Sequence, residues 1–136
     1  MTRRTPELGD AELEVLKALW DHEPATVREI RDILQRRGKK VAYTTVLTFL
    51  TRLEQKGCVR SDKSGHAYVY RAKVTRDRII GSRIKDTMKQ LFDGAAAPMV
   101  LHLIENEKFS PTELAELQKL IEDLAHDREG PAPKRR

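Results

Sequence analysis

Cysteine is nearly absent from this chain, with Cys58 the only one in 136 residues. That excludes a disulfide framework and any site built from paired thiolates. Aromatic residues are also scarce, 5% of the total with a single tryptophan, so the core must be aliphatic. No apolar run approaches the ~18–20 residues that span a bilayer, and the first residues lack the apolar stretch of a signal peptide. No membrane insertion is expected, and a reducing cytoplasm is the expected location. A glycine-rich phosphate loop, a nucleophile–base constellation and a carboxylate pair are all missing, so nothing points to an enzyme. The four histidines, His22, His66, His102 and His126, are scattered without ligand spacing. Neither a metal nor a cofactor is expected.

What the chain does have is charge, 35% of its residues with a net of +5. Residues 1–73 carry 15 basic and 10 acidic side chains, residues 74–127 carry 7 and 10, and residues 128–136 carry 4 and 1. The positive excess sits on the first half and the tail, which points to a polyanion partner for the first half. Four segments are expected: a mobile basic arm over 1–8, a first domain over 9–73 that carries the positive excess, a helical region over 74–126, and a disordered basic tail over 127–136.

The stretch around which the rest is organised is 42–57. Read at about 100° per residue, it puts Val46, Phe49, Leu50 and Leu53 on one buried stripe. Thr44, Thr48, Thr51 and Gln55 lie opposite, with Leu47 on the flank. Lys56 and Gly57 end the helix, a cation in its last turn and a glycine just beyond. A solvated face normally carries Glu and Lys, whereas β-branched Thr is a poor helix former. Its short hydroxyls and methyl groups suit close approach to phosphates and thymine methyls in a DNA groove.

Two helices precede this one. Asp10 is the expected N-cap of the first, which runs to about Trp20 with Leu13, Leu16 and Trp20 inward, widened by Val15 and Leu19. Thr26 and Glu29 form a capping box opening the second, to about Arg36, with Val27, Ile30, Ile33 and Leu34 inward. Arg36-Arg37-Gly38-Lys39-Lys40 then places four cations before the Thr-faced helix, where a phosphate can meet both charge and free N–H groups. The pair makes a helix-turn-helix. After Gly57 the period changes to 2, and residues 58–62 and 66–71 form a hairpin about Lys63-Ser64-Gly65, with Tyr68 and Tyr70 sharing a face. Three helices and a hairpin are the layout of a winged helix.

Thr75 caps a fourth helix to about Phe92, with Ile80, Ile84, Met88 and Leu91 on its stripe. A short helix follows from Met99 to about Asn106, and Ser110-Pro111-Thr112-Glu113 opens a last one to about Ala125. These helices cover about fifty residues, marginal for a lone domain, yet their apolar stripes are rich. A second copy of the chain would cover them, in a two-fold dimer through Ile80, Ile84, Met88, Leu91, Phe92, Leu101, Leu117, Leu120, Ile121 and Leu124. The expected fold class is mainly α with a small β-hairpin, an N-terminal winged helix-turn-helix followed by a C-terminal helical dimerisation region.

At this point the chain resembles the penicillinase-repressor family, the BlaI/MecI-type bacterial transcriptional repressors. The resemblance spans roughly 7–125 and rests on LGDAELEVLKALW (8–20), AYTTVLTFLTRLEQKG (42–57), LFDG (91–94) and SPTELAEL (110–117). It implies a homodimer that binds a palindromic double-stranded operator and represses transcription. The base-reading positions carried over are Thr44, Thr45, Leu47 and Thr48, with Tyr43, Thr51 and Arg52 nearby. Contacts to the DNA backbone are expected from Thr26, Arg28, Lys39, Lys40, Lys56, Arg60, Lys63 and His66. Leu47 departs from the long polar or basic residue of some members. The β-lactam-responsive members are inactivated through a protease-linked pathway that cleaves an Asn-Phe bond, and His102-Leu103 stands in that place here. The copper-responsive members carry paired cysteines, which Cys58 alone cannot supply. The competing expectation is a winged-helix protein–protein adaptor without specific DNA binding, favoured by a reading helix whose only cations are Arg52 and Lys56.

Overall fold

A computed structural model describes residues 7–129. Its elements are α1 (Asp10–Asp21), β1 (Ala25–Thr26), α2 (Val27–Arg36), α3 (Tyr43–Gln55), β2 (Val59–Asp62), β3 (Val69–Ala72), α4 (Arg76–Phe92), α5 (Ala96–Asn106) and α6 (Pro111–Glu129). The fold is mainly helical with one small antiparallel sheet. Contacts divide the chain into two compact units, Met1–Thr87 and Met88–Arg136, with the division inside α4.

In the first unit, α1, α2 and α3 pack around an aliphatic core. Val15, Leu16, Leu19, Ile30, Leu34, Val46, Leu50 and Leu53 are its largest fully buried helical side chains. The sheet closes one side with Val59 and Tyr70, and Ile79 from the first turn of α4 is buried in the same cluster. The inward stripe of α1 is centred on Val15, Leu16, Ala18 and Leu19, whereas Leu13 and Trp20 lie at its edge, half-buried. Trp20 is held there by its indole N–H, which donates to the Val74 carbonyl at 2.9 Å.

Local signals set most helix ends. Thr26 accepts from the Glu29 N–H at 3.2 Å while its own N–H donates to Glu29 Oε1 at 2.8 Å, a complete capping box. Ser110 and Glu113 repeat the arrangement before α6, at 3.0 and 2.8 Å. At α1 the expected cap is displaced by one residue. Gly9 is the N-cap and donates to Glu12 Oε1 at 3.0 Å, so Asp10 is the first helical residue. Both α2 and α3 end in a Schellman motif, with Gly38 (φ +82°) and Gly57 (φ +79°) in the left-handed region. Gly38 and Lys39 donate to the Gln35 and Leu34 carbonyls, and Gly57 and Cys58 to those of Glu54 and Leu53.

The sheet differs from the expected hairpin in two ways. A third strand, β1, pairs with β3 (Ala25 opposite Tyr70, Thr26 opposite Val69), giving the order β1-β3-β2. The wing loop is also longer. Asp62 accepts from the Ser64 N–H and hydroxyl at 3.0 and 2.7 Å, and the second strand begins only at Val69, so His66, Ala67 and Tyr68 belong to the loop. Tyr68 is therefore exposed while Tyr70 is buried.

The ends of the chain shift the expected arm and tail. Leu8, placed in the mobile arm, is buried in the core, and α6 continues through 127–129. The rest of the arm (1–6) and of the tail (130–136) lies outside the described residues. In the second unit α5 starts at Ala96, with Pro98 in a first turn that needs no N–H from it. No residue of α5 is buried in the single chain. Leu91, Leu101, Leu120 and Leu124 are between 56% and 72% exposed. Among the described residues, no helix is long and apolar enough to cross a membrane.

Candidate nucleic-acid interface

Helix α3 displays the face its sequence implied. Val46, Leu50 and Leu53 are buried, Phe49 is half-buried, and Tyr43, Thr44, Thr45, Leu47, Thr48, Thr51 and Arg52 are exposed. Its N-cap, Ala42, offers no side-chain acceptor, and the first intrahelical bond runs from the Val46 N–H to the Ala42 carbonyl at 3.0 Å. The N–H groups of Tyr43, Thr44 and Thr45 thus have no intrahelical acceptor, and exposed Lys39 and Lys40 precede this positive helix end by only three and two residues from its N-cap. Two hydroxyls are already engaged as donors. Thr48 Oγ1 donates to the Thr44 carbonyl and Thr51 Oγ1 to the Leu47 carbonyl, both at 2.9 Å. What Thr48 and Thr51 offer outward is therefore acceptor lone pairs and a methyl group.

Three elements distant in sequence meet at one open groove. Thr26 and Arg28 come from the start of α2, Tyr43 and Leu47 from α3, and His66, Tyr68 and Tyr70 from the wing loop and β3. Tyr68 was not among the sequence candidates, because the alternation of 66–71 paired it with buried Tyr70. Lys63 Nζ sits 5.2 Å from the centre of the Tyr68 ring. Burial pushes the Tyr70 phenol above its ordinary range, so it stays protonated.

Arg60 and Lys63 lie in a separate cleft with Arg71, where Glu54 and Asp62 offset part of their charge. Ser64, through its hydroxyl and then its N–H, holds the Asp62 carboxyl below the ordinary carboxylate range. Arg71 was a second omission, since its strand register is visible only once β2 and β3 pair.

Two cations of the sequence reading have partners within the protein. Lys56 Nζ donates to Glu12 Oε1 at 2.7 Å and to the Glu7 carbonyl at 2.8 Å. Arg37, in the basic turn, donates to Asp21 Oδ2 at 2.7 Å, and Arg76 takes Oδ1 of the same carboxylate at 2.7 Å. The bond from Arg37, then that from Arg76, keep the Asp21 carboxyl below its usual range despite some desolvation. Among the described residues, Lys39 and Lys40 of that turn have no such partner.

A three-helix core, a short three-stranded sheet with a projecting loop, and an exposed helix following a tight turn define a winged helix-turn-helix protein. The family model for the penicillinase repressor matches residues 8–123, and the chain belongs to that family. It is 28% identical over 123 residues to the penicillinase repressor of Bacillus licheniformis, covering 89% of this chain and 94% of that one. It is 35% identical over 100 residues to the transcriptional regulator BlaI of Mycobacterium tuberculosis, covering 72% of each. Among solved structures, a MarR family protein from Bacillus stearothermophilus has a similar fold, with a TM-score of 0.51 at 18% identity over 91% of this chain and 77% of that one.

Proposed function

We propose that this protein is a sequence-specific DNA-binding transcriptional repressor acting as a homodimer on a palindromic operator. The observation that carries the reading is the exposed, threonine-lined face of α3, whose uncapped N-terminus closely follows Lys39 and Lys40 in the chain. Membership of a family described as penicillinase repressors supports it. One α3 enters the major groove in each half-site, and the wing loop lies along the adjoining backbone. Lys39, Lys40 and Arg28 supply salt-dependent phosphate affinity, while Tyr43, Thr44, Thr45, Leu47 and Thr48 face base edges. Lys56 is less available for this, because Glu12 and the Glu7 carbonyl engage two of its three ammonium donors. Two copies side by side repress by occupying the promoter. The exposed apolar residues of α4, α5 and α6 join them, and residues 74–126 serve as the dimerisation region.

The test is fluorescence anisotropy of a labelled ~30-base-pair duplex bearing the palindrome nearest the gene's own promoter, against a scrambled duplex, over a salt series. The expected result is preferential binding of the palindrome at two chains per duplex. Thr44→Ala should weaken the palindrome more than the scrambled duplex. Lys39→Ala should weaken both equally and lower the salt slope by about 1. Equal, weak binding of both duplexes would favour the protein–protein adaptor instead.

A further inference from the structure

We infer that the reading face of α3 selects DNA through methyl groups, seeking the 5-methyl of thymine in the major groove, with Leu47 as the specificity-determining residue. The inference rests on the DNA-binding reading above and concerns what that face selects.

The N-terminal half of a recognition helix is the part that reaches base edges. Here its exposed residues are Tyr43, Thr44, Thr45, Leu47 and Thr48, with Thr51 one turn on. None is an Arg, Lys, Asn or Gln, the side chains that read guanine or adenine with paired hydrogen bonds. Arg52 is the nearest long donor, and its guanidinium rests 5.9 Å from the centre of the Phe49 ring. Gln55 lies about 12 Å beyond Leu47 along the helix axis. The hydroxyl protons of Thr48 and Thr51 are committed to the carbonyls of Thr44 and Leu47, so neither hydroxyl donates to a base acceptor without giving up that bond. Beside short hydroxyls, of which those of Thr48 and Thr51 can only accept, the face offers a strip of γ-methyl groups flanked by a leucine. Leu47 is 36% exposed at the rim of an open groove of about 520 Å³ shared with Tyr43, His66 and Tyr68. An apolar side chain in that position gains by covering apolar surface, and of the four bases only thymine carries a methyl on its major-groove edge.

The experiment begins by enriching a randomised ~30-base-pair duplex pool on the full-length protein. The winning duplex is then resynthesised with deoxyuridine replacing thymidine at one position at a time, which deletes only the 5-methyl group. For the parent protein, at least one such replacement in each half-site should weaken binding about fourfold, the factor that accompanies burial of one methyl. In Leu47→Ala that penalty should shrink below about twofold. Thr48→Ser, which removes a methyl and keeps the hydroxyl, gives a second variant with little risk to folding and should also reduce the penalty. Indifference of the parent protein to every deoxyuridine replacement overturns the inference while leaving the repressor reading intact. Failure to enrich any sequence overturns that reading, and the inference with it.

Discussion

Glu12 shows how one carboxylate ties distant parts of the chain together. It is 6% exposed in the first turn of α1, where it accepts from the Gly9 N–H at 3.0 Å and from Lys56 Nζ at 2.7 Å. Burial pushes its pKa up, but the Lys56 hydrogen bond, the Gly9 N–H and the charges of Lys56 and Arg52 outweigh that and leave it lowered. A depressed folded-state pKa contributes stability that is present above the ordinary value of 4.5 and lost as pH falls through the lower folded value. Glu12→Gln should therefore cost about 1–3 kcal/mol at neutral pH. Its deficit against the parent should narrow below pH 4.5, as read by urea unfolding of Trp20 fluorescence. A deficit constant down the acid limb would mean the pair is not linked to folding.

At the scale of the element, the turn between α2 and α3 and the one after α3 share a device. Each requires φ near +80°, and a Cβ added at Gly38 or Gly57 would meet no atom within 4 Å. The constraint is conformational rather than steric crowding from neighbours. Gly38→Ala and Gly57→Ala should each lower stability by about 1–2 kcal/mol, the cost of a left-handed residue with a Cβ. Gly81 sits on the exposed side of α4 with equal space around it, so Gly81→Ala should stabilise by about 0.5–1 kcal/mol. Urea midpoints of the three variants check both signs. These turns were legible in the sequence, as were both capping boxes, because each is settled by residues within five positions of one another. The wing was less legible. Its loop length depends on Asp62 binding Ser64, and its third strand on Ala25 and Thr26 meeting a partner more than forty residues away.

For the whole molecule, the consequential feature is apolar surface left open by a single chain. Neither α5 nor the described part of α6 has a buried residue, and Leu120 and Leu124 are 61% and 66% exposed. In the proposed dimer a second copy would supply matching surface by symmetry, and both copies would be needed on one operator. Leu120→Asp is expected to shift the protein from dimer to monomer in sedimentation experiments and to weaken operator binding far more than binding to random duplex. A parent chain that sediments as a monomer at micromolar concentration would remove the dimer from the proposal.

The order of helices, their buried stripes and the threonine face of α3 follow from the sequence by itself. Periodicity and capping act over one or two turns, so neighbouring residues suffice to specify them. Tertiary structure alone decided which cations remain available. Lys56 and Arg37 look equivalent to Lys39 and Lys40 until Glu12 and Asp21 are brought beside them from 44 and 16 positions away. It also decided that Leu47 would share a groove with His66 and Tyr68. Charge pairing and groove formation depend on which helices cross, and that is set by packing of the core rather than by any local run of residues.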